Sequence, residues 1–209
     1  MQNGLGVEDD FLAAGLPDVY RCVIYATSEK QADGSCTFAS IRPSPIGVVR
    51  GQAGTLRRLV EVLDTPGFRF VEDGNIRRTV WQKPIINAVF NSICPLLEAD
   101  NGIFHRNDSA RQLAEGIVDE GVAVARSLDL DLDRESLLEQ VLTISRAADG
   151  QAISTLQDIR HGRPTEIGSL NLEIAKIAGR ATPPVMVEQT RLLGRMVLLK
   201  AALRQAGAR

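Results

Sequence analysis

Apolar and polar residues alternate in two different ways along the chain, and the change falls near residue 74. Before it, short apolar runs rich in Val, Ile, Tyr and Phe are separated by Gly, Pro, Asp and Ser, which is typical of strands joined by turns. We therefore predict an antiparallel meander with strands at Val19–Thr27, Ser35–Ser40, Ile46–Arg50 and Phe68–Val71, and helices at Glu8–Leu16 and Thr55–Leu63.

After residue 74, apolar residues recur every three or four positions, which predicts helices only. Asn75 begins a run that leads into the first of them. Predicted helices are Trp81–Glu98, a helix capped by Asp108 or Ser109 that ends near Leu128, a helix opened by Asp133 and ended by Gly150, Ser154–His161, Glu166–Ala178 and Pro184–Ala206. Strands followed by helices indicate an α+β fold with two domains, residues 1–74 and residues 75–209.

One predicted helix, Trp81–Glu98, is apolar on most of its surface and should be buried, with Pro84 in its first turn. Lys83, Asn87 and Asn91 nevertheless recur along it at four-residue steps, so they form one polar line. Taken singly, a snorkelling lysine and asparagines bonded to nearby backbone would explain them. Three in register favour a binding or catalytic site, because unpaired polar groups are costly to bury.

Composition narrows the classes of function. The net charge is −2 with both signs interspersed, which argues against nucleic acid and acidic membrane surfaces as partners. No apolar run reaches membrane-spanning length, and the start lacks the pattern of a signal peptide. The three cysteines are expected to be reduced thiols of a soluble cytoplasmic protein. No metal site is expected, because His105 and His161 stand apart from other ligand-type residues.

Three stretches together resemble one family. They are Trp81 with Lys83, Asn87, Asn91 and Asn101; Gln2-Asn3-Gly4-Leu5-Gly6; and Ser154 to Asp158 followed by Thr165-Glu166-Ile167 and Asn171. Their order and spacing resemble the ketopantoate reductases (2-dehydropantoate 2-reductases) over nearly the whole chain. Gly168 and Leu172 depart from the family pattern, so Asn171 is a weak correspondence.

The resemblance implies a fold and a reaction. Ketopantoate reductases reduce 2-dehydropantoate to pantoate with NADPH, for pantothenate and coenzyme A synthesis, between a Rossmann domain and a helical domain. Here residues 1–74 would be a remnant of the nucleotide-binding domain (a short β-meander plus a helix). Residues 75–209 would be the all-helical substrate-binding and catalytic domain, of the 6-phosphogluconate dehydrogenase C-terminal-like type. The G-x-G-x-x-G motif is absent, so we do not expect this chain alone to bind NADP(H) or to be active.

The resemblance also implies residue roles. Lys83 would be the general acid, and Glu166 would pair with it or with the new hydroxyl group. Asn3 would contact the nicotinamide, and Asp158 is expected to be structural. The substrate, a small keto acid, would be bound by Asn87, Asn91, Asn101 and Ser154.

Other interpretations stay open. A β-hydroxyacid dehydrogenase relative would also carry a Lys-x-x-x-Asn pattern on a buried helix. A non-catalytic module that dimerises or binds a small acid is the alternative from another class, and a homodimer is compatible with each. The apolar residues of Val185–Leu203 suit packing on a partner, although core packing is the favoured explanation for them.

Overall fold

The computed structural model describes residues 4–31 and 33–207, and the chain divides into two compact units. Gly6–Val80 forms one unit, and the other is built on Trp81–Arg209. The boundary expected near residue 74 falls just ahead of a helix, Ile76–Leu97, whereas the contacts divide the chain within that helix. In the residues described, strands occur only in the first unit and the rest is mainly helical, so the α+β class is confirmed.

The first unit contains two small sheets. Its elements are α1 (Asp9–Ala13), β1 (Val19–Cys22), β2 (Ala26–Lys30), β3 (Cys36–Ser40), β4 (Ser44–Arg50), α2 (Ala53–Leu63) and β5 (Phe70–Glu72). Strands β2 and β3 pair as an antiparallel hairpin, while β4 lies between β1, to which it is antiparallel, and β5, to which it is parallel. The predicted antiparallel meander is therefore wrong in its pairing. Ile46, Leu56 and Phe70 form the core of this unit.

The predicted strand Val19–Thr27 is two strands, because the chain changes its hydrogen-bonding partner midway. Val23 N–H still donates to the Pro45 carbonyl at 3.0 Å, beside β4. Tyr25 N–H then donates to the Ser44 hydroxyl at 3.1 Å, after which β2 pairs with β3. Apolar composition predicts extended backbone here but cannot show this change of partner.

The second unit is helical. Its elements are most of α3 (Ile76–Leu97), then α4 (Ile103–Arg106), α5 (Asp108–Arg126), α6 (Arg134–Ala147), α7 (Ser154–Arg160), a 3₁₀ turn (Glu166–Ser169), α8 (Asn171–Arg180) and α9 (Glu188–Gly207). Asp133 caps α6 as predicted, through the N–H groups of Glu135 and Ser136. The cap of α5 is Asn107, which accepts from Ala110 N–H, so the predicted cap at Asp108 or Ser109 is wrong.

Two other helix predictions need correction. The predicted helix Glu166–Ala178 is interrupted at Leu170, whose φ of −109° and ψ of −99° are not helical. The last helix begins at Glu188 and not at Pro184, so the prolines of residues 183 and 184 lie in the connection before it. Among the helices of the described ranges, none is long and apolar enough to cross a membrane.

Most residues of helix α3 are buried. Ile85, Ala88 and Val89 on it are completely buried, as the apolar pattern predicts. The helix starts at Ile76, however, so Pro84 lies inside it and not in its first turn. Proline has no N–H, so Pro84 cannot donate to the carbonyl four residues earlier, and such a position favours a bend.

Candidate active site

The polar line of α3 lies in the middle turns of the helix and not at its start. Lys83 and Asn87 are half-buried, and Asn91 is 6% exposed. Because α3 begins seven residues before Lys83, the unfavourable interaction of a first-turn lysine with the helix dipole does not apply. Lys83 therefore emerges from the side of a buried helix.

Asn91 joins α3 to α7. Its Nδ2 donates to the backbone carbonyl of Asn87 at 2.9 Å, which is the local bonding expected of an asparagine in a helix. Its Oδ1 accepts a 2.6 Å hydrogen bond from the hydroxyl of Thr155, which is 2% exposed. These two bonds fix the orientation of the amide, and they leave one N–H and one lone pair of Oδ1 for a further partner.

Thr155 is a candidate site residue that the sequence reasoning missed. The signal that could have found it is its position directly after Ser154 within the segment that carries the family resemblance. Ser154 is the first residue of α7 and is exposed. The Asn91–Thr155 bond therefore brings Ser154 to the junction with α3, within one residue of the polar line.

Glu166 is the predicted partner of Lys83. It is exposed at the start of the 3₁₀ turn, where its backbone carbonyl accepts from the Ser169 hydroxyl at 2.9 Å. Both roles expected of its carboxylate, a pair with Lys83 or a hydrogen bond to the substrate hydroxyl, stay predictions.

Asn101 is buried beyond the end of α3. Its N–H donates to the Gln151 carbonyl at 2.9 Å, and its own carbonyl accepts from the Ser145 hydroxyl at 2.8 Å. After Leu97 the chain turns back along α3, because the Asp100 carbonyl lies 3.7 Å from Sγ of Cys94. The expectation that Asn101 completes the pocket at Lys83 stays a prediction.

The remaining candidates are structural or lie outside the residues described. Asp158 accepts a 2.8 Å hydrogen bond from Arg163 Nε, in agreement with the structural role expected of it. Asn171 is fully buried at the start of α8, and its Nδ2 lies 3.4 Å from the Ala88 carbonyl of α3. Asn3 falls outside the described residues. In those residues no His, Cys, Asp and Glu side chains form a group able to hold a metal ion.

The turn between β4 and α2 does not suit an anionic ligand. Strands β4 and β5 are parallel and are joined through α2, and Gly51 lies between β4 and α2 with a φ of +116°. The carboxylate of Asp18 already occupies this turn, because a Cβ built at Gly51 would lie 2.1 Å from its Oδ1. Since pyrophosphate is anionic, a carboxylate at this position opposes its binding.

Comparison with known proteins agrees with this architecture. The C-terminal model of the ketopantoate reductase PanE/ApbA family matches residues 75–191. The 2-dehydropantoate 2-reductase of Pyrococcus abyssi is 27% identical over 181 residues, 85% of this chain and 59% of the relative. The enzyme of the same name from Shigella flexneri is 32% identical over 151 residues, 70% of this chain and 47% of the relative.

Two solved structures are similar in fold. A PanE/ApbA family ketopantoate reductase from Ralstonia eutropha JMP134 is 25% identical, with a TM-score of 0.80, and the match covers 98% of this chain and 66% of that one. D-mandelate dehydrogenase in complex with NADH is 19% identical with a TM-score of 0.82, covering 97% of this chain and 69% of the other, which shows the fold alone.

The chain spans about half to three-fifths of the length of these two relatives, 47% and 59%. The family model nevertheless covers more than half of the chain, and it includes the polar line of α3, the Ser154 segment and Glu166. On this evidence the chain belongs to the ketopantoate reductase family, through that family's C-terminal domain.

Proposed function

We propose that this chain forms the substrate-binding and acid-catalytic part of an NADP-dependent 2-dehydropantoate 2-reductase. The observation that supports this most is the bond between Thr155 and Asn91, which joins the polar line of α3 to the Ser154 segment. Two stretches that resemble the family are thereby in contact although 64 residues separate them in sequence. The substrate would be 2-dehydropantoate or a similar 2-keto acid.

Lys83 has the chemistry that reduction of a keto group requires. As hydride reaches the keto carbon, negative charge develops on the oxygen, and a proton must be delivered there to give the hydroxyl. A half-buried ammonium group on a rigid helix would stabilise that charge and donate the proton. The same ammonium group carries the charge and the proton, so one side chain would supply both effects.

The neighbouring groups would orient the keto acid. Asn87 and the remaining N–H of Asn91 can donate to hydroxyl or carboxylate oxygens, and Ser154 can donate from the end of α7. Glu166 would accept from the new hydroxyl group. Asn101 would complete the pocket from beyond the end of α3.

The cofactor of the proposed reaction is NADP(H), which we do not assign to the described residues because the G-x-G-x-x-G motif is absent from the sequence. The hydride donor would be held by a nucleotide-binding domain apart from these residues.

We further propose a cytoplasmic homodimer. A structural neighbour from Staphylococcus aureus, 21% identical with a TM-score of 0.78, is described as a dimeric ketopantoate reductase.

Calorimetric titration of the chain with pantoate tests the substrate proposal directly. We expect saturable binding that Lys83→Met and Asn87→Ala each weaken about ten-fold, the loss of one charged or buried hydrogen bond. Lys176→Met is the matched control, because Lys176 is paired with Glu173 on the surface of α8 and should leave binding unchanged. Equal binding by all four proteins would contradict the proposal.

A second measurement separates the enzyme from a non-catalytic acid-binding module. The chain is mixed with a separately produced nucleotide-binding domain, and NADPH oxidation is followed with 2-dehydropantoate present. We expect turnover that depends on Lys83. Pantoate binding with no turnover in the mixture would favour the non-catalytic alternative. Tight binding of NADPH to the chain alone would contradict the separation of the cofactor site.

A further inference from the structure

The C-terminal ends of helices α7 and α9 meet at a surface cavity that carries positive charge. The cavity has a volume of about 380 Å³ and is within the size range of small-molecule sites. It is lined by Arg160, His161, Gly162, Leu203, Arg204 and Gly207. Two of these six residues are always cationic, a third is cationic when protonated, and none of the six is acidic. The lining therefore suits an anion.

The carboxylate of Glu98, at the end of α3, does not neutralise the two arginines. It accepts a 2.9 Å hydrogen bond from Lys200 Nζ, which also donates to the Pro95 carbonyl at 2.7 Å. In the residues that the structure describes, no ion pair includes Arg160 or Arg204. The bond with Lys200 lowers the pKa of Glu98 most, and the charges of both arginines add to this effect. Three cations therefore share one carboxylate.

The helix dipoles explain part of this charge but not all of it. Arg160 and Arg204 each lie in the last turn of a helix, where the dipole favours a cation. Each helix end supplies only about half an elementary negative charge, whereas each guanidinium carries a full positive one. With Glu98 and Lys200 paired to each other, the cavity keeps an excess of about one positive charge. Protonation of His161 would add a second.

The turn after α7 leaves room for a ligand beside these cations. Nδ1 of His161 lies 2.7 Å from the Gln157 carbonyl, which can only accept, so Nδ1 carries the hydrogen and Nε2 is left for a further partner. Gly162 follows with a φ of +66°, and a Cβ built there would meet no atom within 4 Å. A ligand can therefore approach the backbone of this turn.

We propose that this cavity binds the phosphate group of a small soluble molecule, held by Arg160 and Arg204. The planar guanidinium group presents paired N–H donors that match phosphate oxygens, and such charge-assisted bonds are strong. Leu203 would contact the apolar part of the molecule that carries the phosphate. Ser154, at the other end of α7, is separated from Arg160 by a rise of about 9 Å. The site is therefore distinct from the proposed keto acid site.

Calorimetric titration of the full chain with inorganic phosphate, at low ionic strength, tests the site. We expect saturable binding that Arg160→Gln and Arg204→Gln each weaken about ten-fold or more, the loss of a hydrogen bond between charged groups. Arg191→Gln is the matched control, because Arg191 is exposed on α9 but does not line the cavity. A wild-type chain that does not bind phosphate, or equal binding by all three variants, would overturn the proposal.

Lys83→Met separates this proposal from the proposed function. It should weaken pantoate binding and leave phosphate binding unchanged, whereas Arg160→Gln should do the reverse. Phosphate binding that only Lys83→Met weakens would place the anion in the keto acid site and overturn the present proposal. Loss of pantoate binding with phosphate binding retained would contradict only the proposed function.

A lipid headgroup offers the same phosphate chemistry, and vesicle flotation distinguishes this source from a soluble one. The probe is a vesicle of phosphatidylcholine that contains phosphatidic acid. We expect the wild-type chain and Arg160→Gln to float with these vesicles to the same small extent. Flotation of the wild-type chain that Arg160→Gln and Arg204→Gln both abolish would overturn the assignment to a soluble molecule.

Discussion

The hydroxyl of Thr155 donates a 2.6 Å hydrogen bond to Oδ1 of Asn91, and both side chains are buried. With Oδ1 engaged in this way, Nδ2 donates to the Asn87 carbonyl, which leaves its second N–H for a further partner. A reversed amide would present its oxygen to any carboxylate or keto oxygen bound there, which is repulsive. Under the proposed function, Thr155 would thus be a positioning residue that makes Asn91 a donor to substrate oxygens.

Thr155→Val removes the hydroxyl at nearly constant volume, so the amide of Asn91 loses the bond that sets its orientation. We expect pantoate to bind about five- to ten-fold more weakly, equivalent to about 1 kcal/mol for one hydrogen bond. Thr155→Ser keeps the donor and should restore most of the affinity, although it removes a methyl group from the core. If valine and serine weakened binding equally, Thr155 would act through packing and not through the orientation of Asn91.

Helix α9 approaches α8 so closely at Gly194 that no side chain fits between them. A Cβ at Gly194 would lie 2.8 Å from Cβ of Asn171 and 3.0 Å from Cδ2 of Leu172. We therefore expect Gly194→Ala to lower the free energy of unfolding by about 1–3 kcal/mol, the usual penalty of overpacking. Urea denaturation followed by circular dichroism measures this change.

Gly179 provides the control for that substitution. It also lies in a helix, α8, but a Cβ there meets no atom within 4 Å. Gly179→Ala should raise the free energy of unfolding by up to about 1 kcal/mol, because alanine has the higher helix propensity. If Gly194→Ala were stabilised as much as Gly179→Ala, helices α8 and α9 would have to separate easily at Gly194.

How far the sequence predicts this molecule depends on the range of the interactions involved. The buried helix around Ile85 and the cap at Asp133 follow from local periodicity and local hydrogen bonding, and both are confirmed. The predicted start of α3 was wrong, because proline is common in the first turn of a helix. Only tertiary packing explains why Pro84 lies inside α3. The polar line is a local pattern, whereas its partner Thr155 lies 64 residues away.

The same reasoning explains the site residues whose positions the sequence leaves open. Asn101 follows Asn91 by ten residues but lies beyond the end of α3, so its position relative to Lys83 depends on the turn after Leu97 and not on helical spacing. Glu166 and Lys83 belong to different segments, and their pairing depends on how the interrupted helix at Leu170 is placed. Helix α9 shows the same limit, because its apolar spacing does not reveal which of its apolar residues the core covers.

Glu120 of α5 supplies the N-terminal cap of α9. Its two carboxylate oxygens accept from the N–H groups of Gln189 at 2.9 Å and Thr190 at 2.7 Å, donors that have no partner within the helix. Glu120→Ala should lower the free energy of unfolding by about 0.5–2 kcal/mol, the typical cost of a lost cap. Glu139→Ala, on the exposed surface of α6, should change it by less than about 0.5 kcal/mol. Similar values from urea denaturation of the two variants would contradict the capping role.

Cys94 is completely buried in α3, and its Sγ lies 3.7 Å from the Asp100 carbonyl. Burial raises the pKa of this thiol from 9.0 to about 12, with a smaller contribution from the Asp100 charge. At pH 8 we therefore expect Cys36, which is exposed, to react readily with a thiol-specific disulfide reagent. Cys94 should react only when the chain unfolds, because the thiolate is the nucleophile.

The raised pKa of Cys94 also gives a signed dependence of stability on pH. A group whose pKa is higher in the folded state stabilises that state fully below its unfolded pKa, near 9.0, and this contribution is lost as pH rises towards about 12. Urea denaturation between pH 8 and pH 11 should show a falling free energy of unfolding in the wild-type chain. The free energy of unfolding of the Cys94→Ala variant should fall less steeply over the same range. It should start from a lower value, because the substitution leaves a cavity. Identical slopes would mean that Cys94 ionises as easily in the folded chain as in the unfolded one.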